Sequence, residues 1–85
     1  MEFGTHHIRV LVAEDNRDLA AAICALIAAE PDMQVDGTVD RAGHLLEAVA
    51  QRGAHVLVLD LDLGGESSVP AMTQLHRSHP GMAIV

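Results

Sequence analysis

Apolar and polar positions along the chain alternate between two periods. The runs Ile8-Arg9-Val10-Leu11-Val12-Ala13 and Val56-Leu57-Val58-Leu59 are apolar almost throughout. Unbroken aliphatic runs of this length read as strands buried on both faces, as in a parallel sheet. Between them the spacing turns helical. Leu19, Ile23, Leu26 and Ile27 fall on one stripe of a helix predicted from Arg17 to about Glu30, with Asn16 or Asp15 as its cap. Glu30-Pro31-Asp32 stops that helix. Met33 to Val39 is a short second strand, weakened by Gly37 and therefore assigned to an edge. Asp40 is expected to cap a second helix reaching about Arg52, with Leu45, Leu46 and Val49 facing inward and Gly53 just past its end. After the third strand, a loop from Asp62 to Ser68 leads into a third helix. Pro70 is tolerated in its first turn, and Met72 and Leu75 face inside. His79-Pro80-Gly81 ends it, and Met82-Ala83-Ile84-Val85 reads as a fourth strand.

The order βαβαβαβ implies an open parallel sheet with helices on both faces. Eighty-five residues allow one small domain. Phe3 is the single aromatic residue, so the core must be built from Leu, Ile, Val, Ala and Met. The opening residues 1–7 have no periodicity and read as an expression leader, leaving residues 8–85 as the folding unit. Ending on an apolar strand implies a domain truncated after its fourth strand. Such a chain is expected to cover its open edge by self-association, as an edge-paired or swapped dimer.

Charge and composition narrow the functional classes. A net charge of −7 argues against nucleic-acid binding by this segment itself, since phosphate contacts need Lys and Arg. No apolar run approaches the roughly 20 residues of a membrane span, and no signal-peptide pattern opens the chain. The single cysteine, Cys24, cannot form an internal disulfide, which fits a reducing cytoplasm. Cys24 reads as a packing residue. His76 and His79 have helical spacing but sit where the third helix frays, and His44 and His55 stand at element ends, so a zinc site is not expected.

The candidate chemistry lies in acids at strand ends. Asp60 stands where the third strand gives out, and Glu14-Asp15 where the first does. The carboxyl ends of strands are where open α/β sheets place their sites. Three carboxylates brought to one sheet edge repel each other, and a divalent cation neutralises such a cluster. The competing reading is structural: Asp60 capping a turn, and Glu14 and Asp15 complementing a helix N-terminus.

Val10-Leu11-Val12-Ala13-Glu14-Asp15-Asn16 and Asp60-Leu61-Asp62-Leu63-Gly64-Gly65 together resemble the receiver domain of two-component response regulators. Glu30-Pro31-Asp32-Met33-Gln34-Val35 is similar to the end of the first helix in regulators with a helix-turn-helix output. The resemblance implies a flavodoxin-like receiver fold with strand order 2-1-3-4 over the strands present. It implies that Asp60 accepts a phosphoryl group from a sensor histidine kinase. Glu14, Asp15, the Asp60 carboxylate and the backbone carbonyl of Asp62 would hold Mg²⁺. Phosphoryl transfer asks the protein mainly for positioning and charge neutralisation, which suits these roles. The chain would then be a signalling module rather than a turnover enzyme, with DNA reached only through a separate output domain. Leu63-Gly64 stands where the family often has Met-Pro. The Thr or Ser and the Lys that read the phosphoryl group in the family fall beyond Val85. Two other classes compete. A degenerate receiver would serve only dimerisation. A Mg²⁺-dependent phosphatase would use Asp60-Leu61-Asp62 as an Asp-x-Asp nucleophile motif, although that motif belongs after a first strand; a Toprim-like metal site would need a basic surface the chain lacks.

Overall fold

The computed structural model describes residues 7–85; all of the expected leader but His7 lies outside the described residues. Four strands form one parallel sheet: β1 (Ile8–Ala13), β2 (Met33–Val39), β3 (Val56–Leu59) and a final strand, β6 (Ala83–Ile84). Two short strands, β4 (Asp62–Leu63) and β5 (Glu66–Ser67), form a separate antiparallel hairpin. The helices are α1 (Arg17–Ala28), α2 (Leu45–Arg52) and α3 (Val69–Ser78). Strand order across the main sheet is β2-β1-β3-β6, the order 2-1-3-4 expected when the hairpin is left out of the count.

Burial follows the apolar runs. Val10, Leu11, Val12 and Ala13 are all buried, as a central parallel strand covered on both faces requires. Successive side chains of a strand point to opposite faces. Leu11, Ala13, Val39 and Leu57 therefore share one face, where they join Leu45 and Val49 of α2 and Leu75 of α3 in the main core. Val10 and Val12 point to the other face, which α1 covers.

Helix α1 begins as the sequence predicts. Asn16 has extended backbone, and its Oδ1 accepts a hydrogen bond from the Leu19 N–H at 2.9 Å. The inward stripe differs from the expected one. Ile23 and Ile27 are half-buried together with Ala20 and Cys24, but Leu19 and Leu26 are exposed, Leu26 at 73%. The apolar arc of this alanine-rich helix is wide enough to permit several docking angles, and the sheet engages its Ala20-Ile23-Cys24-Ile27 side.

Two other expectations change. Asp40 caps nothing: a short 3₁₀ turn at Ala42–His44 precedes α2, and no side chain bonds the N-terminus of either. Gly53 does end α2 with left-handed backbone (φ 62°), as expected of a residue just past a helix. The stretch from Asp62 to Ser68 is a β-hairpin rather than an open loop. Gly64 and Gly65 at its tip have φ of 63° and 82°, the pair of positive values that a two-residue type I′ turn needs and glycine supplies. Leu63 plugs the hairpin into the core with no exposed surface.

The edge strand β2 carries an irregularity beside Gly37. Val35 pairs with Val10 and Gly37 with Leu11, so Asp36 is an extra residue. Its carbonyl accepts a 2.8 Å hydrogen bond from the Arg52 guanidinium, and a Cβ on Gly37 would lie 3.3 Å from that group. Glycine here lets an arginine from the end of α2 satisfy the bulge.

Candidate functional site

Strand register builds the site. β1 and β3 run side by side with Val10, Leu11, Val12 and Ala13 opposite Val56, Leu57, Val58 and Leu59. The residues following each strand must then emerge together. The Asp60 N–H donates to the Ala13 carbonyl at 3.1 Å, extending the ladder by one step, and the Glu14 N–H donates to Val39 at 2.9 Å. Glu14 is thus tied to β2 and Asp60 to β1, and their side chains leave the sheet at the same end.

The result is a cluster of Glu14, Asp15 and Asp60, each with a carboxylate oxygen within 4.8 Å of one from both others. It is the one such grouping of three or more His, Cys, Asp or Glu side chains among the described residues. Their surroundings differ. Glu14 is buried at 9% exposure, Asp60 is half-buried and Asp15 is exposed. Glu14 Oε2 accepts the Asn16 N–H at 3.0 Å, which fixes that carboxylate against the start of α1. Asp60 Oδ1 accepts the Asp62 N–H at 3.1 Å. The Asp62 side chain is exposed and stands outside the cluster.

No basic side chain among the described residues forms an ion pair with these carboxylates. Among the described residues the one ion pair is Arg41 with Asp40, at 3.9 Å and on the surface. Three carboxylates this close make an oxygen-rich donor set of the kind that takes a hard divalent ion. An open groove of about 600 Å³ runs alongside, lined by Glu14 and Asp15 with Arg17, Cys24, Thr38 and Asp40.

Ser68 was not singled out in the sequence, where it is one of two adjacent serines before a helix. In the structure it is fully buried, and its hydroxyl donates to the Asp60 carbonyl at 2.6 Å. A buried hydroxyl leaves no trace in composition or periodicity. The two histidines with helical spacing sit at the far end of α3, where His79 Nδ1 lies 2.8 Å from Ser78 Oγ.

Proteins similar to this chain in sequence or in fold include response regulators and receiver domains. The chain is 30% identical over 78 residues to the response regulator GacA of Pseudomonas viridiflava, covering 92% of this chain and 36% of that protein. It is 26% identical over 78 residues to a protein-glutamate methylesterase/protein-glutamine glutaminase of Geobacter metallireducens, covering 22% of it. The chain therefore spans little more than a third of one relative and less than a quarter of the other. No family model matches. Among solved structures, the isolated REC domain of RcsB from Salmonella enterica serovar Typhimurium superposes with a TM-score of 0.84 at 21% identity. That likeness covers 93% of this chain and 59% of the other, and it establishes the receiver fold. Among the described residues no helix is long and apolar enough to cross a membrane.

Proposed function

We propose that this chain, with its receiver fold and its resemblance to response regulators, is the phosphoacceptor module of a two-component regulator. Asp60 is the acceptor. The observation that carries the reading is the meeting of Glu14, Asp15 and Asp60 at the carboxyl end of the sheet.

The division of labour follows from the environments. Glu14, buried and held by the Asn16 N–H, is the fixed corner of the site, and exposed Asp15 can adjust to an incoming ion. Glu14, Asp15, the Asp60 carboxylate and the Asp62 carbonyl would hold Mg²⁺. When bound, it would supply charge neutralisation and orient the phosphoryl oxygens. Asp60 is the nucleophile: one carboxylate oxygen forms a bond to phosphorus as the donor's P–N bond breaks, and the leaving nitrogen keeps the bonding pair. The Asp62 N–H occupies Oδ1, so Oδ2 is the oxygen without that donor and the one assigned to attack. The product is an acyl phosphate on Asp60. The donor is a phosphohistidine on a sensor kinase, and the phosphorylated module switches an output domain, of the transcriptional kind in this reading. The likeness to GacA supports the response-regulator reading, whereas the methylesterase relative shows that a similar segment also occurs in a chain named for enzymatic activity.

Incubation with Mg²⁺ and a small phosphodonor such as acetyl phosphate, followed by intact-mass measurement, tests this. One phosphoryl adduct is expected on the parent and none on Asp60→Asn. A folded parent that takes no adduct in excess Mg²⁺ would instead favour a degenerate receiver used for association alone.

A further inference from the structure

Ser68 is hydrogen-bonded twice to the Asp60 loop although it contributes no atom to the acidic cluster. Standing just ahead of α3, a serine would ordinarily turn its hydroxyl onto the free N–H groups of its own helix. Here it makes no such bond. The neighbouring Ser67 hydroxyl accepts from the Val69 N–H at 3.2 Å instead. The Ser68 hydroxyl points backwards and donates to the Asp60 carbonyl at 2.6 Å. The backbone N–H of Ser68 donates to the Leu61 carbonyl at 2.9 Å. One fully buried residue thereby fixes two consecutive peptide planes, Asp60–Leu61 and Leu61–Asp62.

The second plane decides the chemistry. Its carbonyl, from Leu61, is held by Ser68, and its N–H, from Asp62, is the group that donates to Asp60 Oδ1. Rotation of that plane would move the donor away from the carboxylate. Rotation of the first plane would turn the Asp60 backbone from which the carboxylate projects. We infer that Ser68 is a positioning residue for phosphoryl acceptance, aiming the Asp62 N–H at Oδ1 and so leaving Oδ2 as the reacting oxygen. This rests on the proposed role of Asp60. Leu63 anchors the same loop by packing, but it does not orient these two peptides.

The test compares phosphoryl labelling of the parent, Asp60→Asn, Ser68→Ala, Ser68→Cys and Ser68→Thr at saturating Mg²⁺ over a range of phosphodonor concentrations. Thermal melting identifies which variants are folded. Ser68→Ala is expected to lower the maximal labelling rate about tenfold, the effect of losing one buried hydrogen bond that orients the reacting carboxylate, with the half-saturating donor concentration unchanged. Ser68→Cys keeps the side chain's shape but offers only a weak donor, and it is expected to fall with Ser68→Ala. Ser68→Thr, which retains the hydroxyl, is expected to recover most of the rate. Parent-like rates in folded Ser68→Ala or Ser68→Cys would overturn the inference while leaving the acceptor role of Asp60 intact. Absence of labelling on the folded parent would remove both. One measurement needs no variant: the Asp62 amide is expected to be protected from hydrogen exchange, and unprotected exchange in the folded parent would contradict the proposed aim.

Discussion

Replacing Asp60 by Asn is expected to stabilise the chain in the absence of divalent cations, the reverse of what most substitutions at half-buried positions do. Asp60 stands within 4.8 Å of two other carboxylates, and Asn removes its share of the repulsion without changing its shape. At that separation one pair of like charges costs about 0.9 kcal/mol at the dielectric of water and about 3.5 kcal/mol at an effective value near 20. The pair with buried Glu14 lies towards the higher figure and the pair with exposed Asp15 towards the lower. The Asp62 N–H keeps an acceptor, because the Asn side-chain oxygen can take the place of Oδ1. Allowing for weaker bonding to a neutral oxygen, a net gain of about 2 kcal/mol is reasonable. For a domain of this size each kcal/mol corresponds to about 4–8 °C in Tm. The assay is thermal or urea unfolding of both proteins at low ionic strength with a chelator, then with excess Mg²⁺. With Mg²⁺ the order should close or invert. An ion bound at a hundred times its Kd adds about 2.7 kcal/mol to the parent and much less to a variant missing one carboxylate. If Asp60→Asn melts at or below the parent in chelator, the three charges do not strain the fold and the argument for a cation site fails. Equal Mg²⁺ shifts in both proteins would refute it as well.

Three further outcomes test the structure around the site. Gly64→Ala should cost about 1–2 kcal/mol in denaturant titration, because alanine resists a φ of +63° and its Cβ would meet the Asp40 carbonyl at 3.1 Å. Leu63→Ala should cost about 2–5 kcal/mol, measured in the same way, since its side chain is wholly enclosed in the main core. Leu26→Ser, by contrast, should change stability by no more than about 0.5 kcal/mol, because the residue is 73% exposed; a loss of several kcal/mol would restore the inward stripe that periodicity suggested.

The difference between Leu26 and Leu63 shows where sequence reasoning reaches its limit. Helical spacing identifies α1 and its start at Asn16, because capping and periodicity are local properties. Which side of an alanine-rich helix meets the sheet is settled by the depth of the surface it docks on, and Leu26 lost that competition to Ala20 and Cys24. The hairpin at Asp62–Leu63 and Glu66–Ser67 escapes periodicity for a similar reason. Its strands are two residues each, too short for alternation to show, and only the burial of Leu63 against Leu45 and Leu75 makes them worthwhile. Asp40 offered a local capping signal that a 3₁₀ turn bypassed.

By itself the sequence determined the order of the main strands and helices, the parallel sheet and the strand ends at which acids emerge. Long aliphatic runs and strong turn residues carry that information along the chain. The tertiary structure supplied the β1–β3 register that brings Asp60 beside Glu14 and Asp15, the grouping anticipated from the strand ends. It also decided that Ser68 turns away from its own helix to hold the Asp60 loop. Both depend on contacts between residues distant in sequence, whose energies are set by packing and by the need to satisfy buried polar groups, and neither leaves a periodic signal to read.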